Sequence, residues 1–229
     1  MTITTTTLTK ASAVAAAVGG LLFIAVQVKH PSLDVAFATT TEWKVRESMK
    51  VLFGAFSLIG ITGMYLRQVN QIRVLGLLGY VLFSVGFLAL MGVEVVGAVV
   101  LPSIAHSAPG YVTDVLAVAT GGHAAGDVGL MQPISAVMAI GFLGGGLLFG
   151  IALFRANVLA RWAAALLAVA SVATAARAVV PQINERLFAI PFGIALIGLG
   201  YSLWRDQRTP AARTVPSTVS SQFDPAGAK

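Results

Sequence analysis

The stretch VLGLLGYVLFSVGFLALMGV, Val74–Val93, decides the fold. It runs for twenty residues without an Asp, Glu, Lys or Arg. At about 1.5 Å per residue, a helix of that length crosses a bilayer core of about 30 Å. Arg73 stands at one end and Glu94 at the other. Five further uncharged segments repeat the pattern: Ala11–Val28, Val51–Leu66, Ile134–Phe154, Trp162–Ala176 and Leu187–Trp204. The shorter ones need flanking residues to reach across.

Composition agrees with this reading. Of 229 residues, 57% are hydrophobic and 10% charged, with a mean hydropathy of +0.86. A soluble domain carries about a quarter charged residues. A soluble enzyme, a secreted disulfide scaffold and a disordered chain are therefore excluded. The absence of cysteine removes disulfides, thiolate nucleophiles, iron–sulfur clusters and cysteine-ligated zinc. No stretch alternates polar and apolar residues over the ~10 positions of a barrel strand. The expectation is an all-α integral membrane protein: a six-helix transmembrane bundle over residues 1–205, with an extracytoplasmic loop and short helix between helices 3 and 4. Residues 206–229, rich in Pro, Ser, Thr and Ala, have too little apolar surface to fold and are expected to form a disordered cytoplasmic tail.

Local signals refine the ends. Thr39 with Glu42 three residues on suggests a capping box that starts the second helix early. Pro133 and Pro191 suit first turns. The net charge of +6 resembles a nucleic-acid signal, but the basic residues lie at helix ends, where they orient a membrane protein. The loop Leu101–Gln132 has no Lys or Arg, whereas the short loops Arg67–Arg73 and Arg155–Arg161 are basic at both ends. Both termini are thus expected in the cytoplasm of a bacterial plasma-membrane protein. Ala36-Phe37-Ala38 resembles a signal-peptidase site but lies about ten residues beyond the first apolar run, so that run is expected to remain as a helix.

Ionisable groups in or near a span are functional candidates, because charge in hydrocarbon is costly. Glu94 lies about 31 Å from Arg73 at helical rise, Arg177 about 24 Å from Arg161, and Glu47 about 30 Å from Arg67. All three fall near the outer end. On the second helix Trp43, Glu47, Lys50, Gly54 and Ser57 share one face, as do Ser84, Phe87, Met91 and Glu94 on the third. Convergence of these faces would give a pocket with a polar mouth and an apolar floor. Glu94 and Glu47 are the candidate catalytic acids, and Trp43, Lys50, Phe87, Met91, Tyr111 and Arg177 the candidate substrate-binding groups. The structural alternatives stay open: Glu94 and Arg177 as an ion pair, Glu47 and Lys50 in the headgroup region.

The third loop would cover the mouth. Its Tyr111–Ala119 stretch is apolar enough to lie in the interface. Gly121-Gly122-His123-Ala124-Ala125-Gly126-Asp127 matches neither phosphate-binding glycine pattern and suits a hinge or turn. His123 and Asp127 have the i,i+4 spacing of a helical ligand pair, and the spacing resembles that of membrane hydrolases that hold zinc in a seven-helix bundle. Those enzymes use further histidines. This chain has three, His30, His106 and His123, and a zinc site needs about three protein ligands, so neither metal nor other cofactor is expected. In the fourth helix, the pairs Gly141/Gly145 and Gly146/Gly150 favour close internal packing over a dimer interface. The motif Gly19-Gly20-Leu21-Leu22-Phe23 recurs at Gly145–Phe149, and Leu78-Gly79-Tyr80 at Leu199–Tyr201. These echoes would lay helices 1–3 over helices 4–6 as inverted repeats.

The run Gly145–Val169, with FRANVLARWAA at Phe154–Ala164, together with Gly20–Pro31 and Ile61–Val69, resembles a family of small multi-spanning proteins from high-GC actinobacteria. The resemblance implies six helices and no particular activity. In its parts the chain is also similar to the integral-membrane terpene cyclases, which protonate an alkene or epoxide with a carboxylic acid and shelter the cation with aromatics. That analogy implies Glu94 as the acid, Glu47 as a second candidate, and Trp43, Phe87 and Tyr111 as walls. A carboxyl group desolvated among apolar side chains retains its proton, which suits the task. Two function classes follow. One is a membrane enzyme acting on a lipophilic, isoprenoid-like small molecule. The other is a small transporter, permease or immunity-type protein with a Glu/Arg pair. Partners are membrane lipids and the lipophilic substrate, with no nucleic acid; the oligomeric state stays open.

Overall fold

The structure is a computed structural model that describes residues 3–173 and 189–206. Among the described residues there is no strand. The helices are α1 (Thr5–Gln27), the short α2 (Val35–Ala38), α3 (Thr41–Val95), α4 (Leu101–Ile104), α5 (Pro109–Ala119), α6 (Met131–Ala156), α7 (Arg161–Ala173) and α8 (Ala189–Asp206). A π-helical turn, Val96–Val100, joins α3 to α4. The described residues of every uncharged segment are helical, save Val28, which ends α1. Among the described residues three helical stretches are long and apolar enough to cross a membrane: Thr5–Gln27, Thr41–Ile104 and Met131–Ala156.

The middle stretch has 64 residues and would reach roughly 96 Å if straight, three times a bilayer core. It folds back on itself instead. Its backbone leaves the helical region at Gln68 (φ −126°, ψ 16°) and Arg73 (φ 48°, ψ −149°). Side chains then meet across the two arms in antiparallel order. Trp43 meets Gly97, Phe53 meets Phe87, and Thr62 meets Tyr80.

The arms and helices form a closed sequence of neighbours. α1 packs on the first arm of α3 and on α8, the second arm packs on α6, α6 on α7, and α7 on α8. Small residues make these contacts close, as expected where apolar lipid gives helices little hydrophobic reason to associate. A Cβ on Gly86 would sit 2.6 Å from the Gly141 backbone, and one on Gly60 2.7 Å from Ala16. Gly141 and Gly145 face the second arm, whereas Gly146 and Gly150 face α7. Both glycine pairs therefore serve packing within the chain. Gly19 touches the first arm and Gly20 touches α8, so the two Gly-Gly echoes do similar work in α1 and α6.

Aromatic rings fill the centre of the bundle. Phe23 stacks on Phe53 at 4.3 Å between centroids and Phe142 on Phe192 at 4.7 Å. Phe83 and Phe87 are fully buried among them. α3 is capped by Thr40, whose side chain accepts from the Trp43 amide. Thr39 instead closes α2, donating to the Ala36 carbonyl. The expected capping box is thus absent, since the residue three beyond the Thr40 cap is Trp43. Glu42 is free of the box and pairs with Arg46, which also donates to the Val26, Val28 and Lys29 carbonyls at the end of α1. Such a guanidinium satisfies carbonyls that a helix end leaves open.

Candidate functional site

A cavity of about 260 Å³ lies between the hairpin arms, α1, α5 and α6. Phe23, Phe53 and Phe142 form its floor, and Val115, Leu116 and Ala119 of α5, with Thr120 just after it, line it from the loop side. α5 is held there by its own apolar face. Val112, Val115, Leu116 and Val118 pack with Trp43, Val93 and Leu101 in one buried cluster. The glycine-rich turn after α5 is tied by Asp114, whose carboxylate accepts from the Ala125 and Gly126 amides at 3.0 and 2.9 Å.

One wall of the cavity is charged. Lys50 donates to Glu47 Oε1 at 2.6 Å and its Nζ lies 3.3 Å from Glu94 Oε2. The side chains are 18%, 3% and 15% exposed for Lys50, Glu47 and Glu94. Glu47 is therefore buried within the protein, and Lys50 turns inward with it. The trio has two carboxylates and one ammonium, a formal charge of −1 in apolar surroundings, where uncompensated charge is costly. A proton or a second cation would balance it.

The geometry beside Glu47 depends on a proline. In the π turn the Leu101 amide donates to Val96, one residue further back than in an α-helix. The Gly97 carbonyl thereby loses its α-helical donor. Its π-helical donor would be residue 102, which is proline and has no N–H. The Trp43 indole N–H supplies the missing bond, donating to Gly97 O at 2.8 Å. Gly97 also leaves room for Glu47, since a Cβ there would lie 3.0 Å from Glu47 Oε2. The sequence reading missed this turn; the signal was Pro102 three residues inside an otherwise helical run.

Of the residues singled out in the sequence, Trp43, Glu47, Lys50 and Glu94 line the cavity. Phe87 does not. It is fully buried in the aromatic core, 5.6 Å from Phe53 and 4.6 Å from Phe83. Met91 lies against Gly54 between the two arms, and Tyr111 packs beside the α5 cluster. Arg177 lies outside the described residues, and the ion partner of Glu94 in the structure is Lys50. Lining residues that sequence reasoning overlooked include Gln27, His30 and Thr120. His123 Nδ1 meets the Gln132 amide nitrogen at 2.8 Å and Asp127 accepts from the Gly129 amide, so both serve the loop. Among the described residues no three His, Asp or Glu side chains gather into a metal-binding group.

Comparison of the chain with protein-family models, curated proteins and solved structures finds no match. Function therefore rests on what the cavity can do.

Proposed function

We propose that this chain is a six-span bacterial plasma-membrane enzyme, both termini cytoplasmic, that acts on a small lipophilic, isoprenoid-like substrate by acid-initiated chemistry, as the membrane terpene cyclases do. The observation that carries the reading is a carboxyl-bearing wall above an aromatic floor, with Phe83, Phe87 and Phe192 filling the bundle beneath it. Rings packed beneath the cavity suit it to holding a reacting lipophile rather than passing it on. Apolar walls exclude water from a cation, and ring faces stabilise it. Glu94 is the proposed acid, being the more exposed carboxyl and the more loosely held, while the 2.6 Å bond between Lys50 and Glu47 positions the trio. The residues call for no metal or organic cofactor in this role.

The basic loops at residues 67–73 and 155–161 support the six-span topology, as does the hairpin in the long middle stretch. A second reading, ion-coupled transport, draws on the charged trio and on the matched glycine pairs of α1 and α6. The aromatic packing between cavity and hairpin turn weighs against it.

Native mass spectrometry of the purified chain and of Glu94→Gln, with identification of co-purifying lipids, tests the proposal. A small isoprenoid or other lipophile retained by the unaltered chain and lost or altered in the variant is expected. Retention of nothing specific by either form, with proton- or ion-driven uptake in liposomes, would overturn the enzyme in favour of the transporter.

A further inference from the structure

Lys50 is unusual for a lysine near the end of a membrane helix. A long basic side chain there ordinarily reaches for the headgroups. This one turns into an apolar cavity, with its Nζ 5.9 Å from the Trp43 ring and between two carboxylates. An ion pair alone needs one carboxylate and no empty space beside it. Here there are two carboxylates and about 260 Å³ of cavity, just below the usual 300–1,000 Å³ of ligand pockets. The space suits a short lipophile, and the amine is the nucleophile within it.

We propose that Lys50 captures a small lipophilic aldehyde as a protonated imine, held between Glu47 and Glu94 as counter-ions. This rests on the lipophile-binding part of the proposed function and adds the ligand's reactive group. The Lys50 ammonium first gives a proton to Glu94. The free amine nitrogen attacks the aldehyde carbon, forming the C–N bond, and the carbonyl π pair moves to oxygen. The amine's surplus proton passes to that oxygen. Glu94 returns its proton as the hydroxyl leaves as water, and the nitrogen lone pair forms the C=N bond. Ammonium plus aldehyde thus becomes iminium plus water, with no oxidant or reductant. The positive charge that begins on the ammonium ends on the iminium nitrogen, so the carboxylates that hold the ammonium also hold the iminium. Amines in apolar sites form such adducts with carbonyl ligands, and intramembrane carboxylates serve as counter-ions to them.

The test treats the purified full-length chain with geranial, a C10 isoprenoid aldehyde, then reduces with sodium borohydride and maps the adduct by peptide mass spectrometry. Geraniol, the corresponding alcohol, is followed in parallel by native mass spectrometry. The expected result is one reduced adduct on the Lys50 peptide, with the exposed Lys29 and Lys44 unlabelled, and its loss in Lys50→Arg. Before reduction, a red-shifted absorption band should appear and move in Glu94→Gln. Labelling spread over exposed lysines and unchanged in Lys50→Arg overturns the proposal. So does geraniol retention without labelling of Lys50, which leaves the cavity's lipophile-binding role intact. If geraniol is not retained and Lys50 is not labelled, both fall together. Mapping on the unaltered chain decides the question even if the arginine variant fails to fold.

Discussion

The two ends of the α3 hairpin, built from the same two arms, are packed in opposite ways. Near the turn, Tyr65 stacks on Tyr80 at 4.6 Å and the Thr62 hydroxyl lies 3.0 Å from the Tyr80 hydroxyl. Gly79 lies against the Phe149 backbone and Gly63 against Ser12. Near the open end, Glu47, Lys50 and Glu94 stand beside an unfilled cavity. Helices in lipid are held by packing and polar contacts, so a void forfeits dispersion and a buried charge cluster adds desolvation. The turn end buries no charge cluster among the described residues, although Gln68 Oε1 is buried there without a partner, and the chain can fill space when small and aromatic residues are placed to do so. The open end bears both costs at one place, as a binding site would require.

The largest effect should come from the packed contacts. Gly86→Leu places a side chain where a Cβ alone would meet Gly141 backbone at 2.6 Å, whereas a Cβ at Gly92 meets nothing within 4 Å. Overpacking of flexible side chains costs about 1–3 kcal/mol; against backbone, Gly86→Leu should exceed that and yield little folded protein in detergent. Gly92→Leu should melt with the parent. Equal behaviour of the two variants would mean that the second arm does not pack on α6 as described.

At the open end the charge count sets the order. Lys50→Met leaves Glu47 and Glu94 facing each other without a cation, and should cost about 3–5 kcal/mol, as broken buried pairs do. Glu47→Gln leaves Lys50 paired with Glu94 and one charge of each sign, so it should cost less than Lys50→Met. Glu94→Gln, which removes the 3.3 Å partner and keeps the 2.6 Å one, should cost least. Thermal melts of the three variants give the ranking. A Lys50→Met variant as stable as Glu94→Gln would show that the trio is solvated, and the contrast between the two ends would disappear.

Much of this was legible in the chain. Uncharged runs ended by Arg, Lys, Glu or Pro mark the helices, because only such runs can be desolvated at low cost. The i+3 and i+4 spacing placed Glu47 and Lys50 on the face that meets Glu94. The same spacing could not say whether Lys50 turns inward or reaches for the interface, since both directions start from one Cβ. Phe87 shares a helical face with Glu94, yet it lies two turns deeper, where the ring of helices closes over it. Thr39 and Thr40 are equally good caps, and only the short α2 before them decides which is used. The π turn leaves no period of its own.

The π turn gives a smaller and sharper test. Trp43→Phe keeps an aromatic ring and removes the indole donor to the Gly97 carbonyl. It should cost about 1–3 kcal/mol for a buried group left unpaired. Pro102→Ala restores a backbone N–H at the position where a π-helical donor to Gly97 would stand. In that background Trp43→Phe should cost less, and the double-mutant cycle should show coupling of about 0.5 kcal/mol or more. Strict additivity would break the link drawn between the proline and the tryptophan.

The smallest effect lies at the turn. Arg73 has φ 48° and ψ −149°, a region that glycine occupies readily and other residues hold at about 1–3 kcal/mol of strain. It is kept there because Ile72 beside it is buried in the main core, where it fills the space left by Gly76, while the arms on either side are fixed by their packing. Arg73→Gly should relieve the strain and raise stability by about 1 kcal/mol, after the entropy that glycine loses on folding. Arg73→Ala removes the same charge and keeps the strain. The difference in melting temperature between these two variants therefore isolates the backbone from the loss of a basic residue at the turn. If alanine and glycine melt together, the left-handed residue is not there, and the hairpin turns at some other position between the two arms.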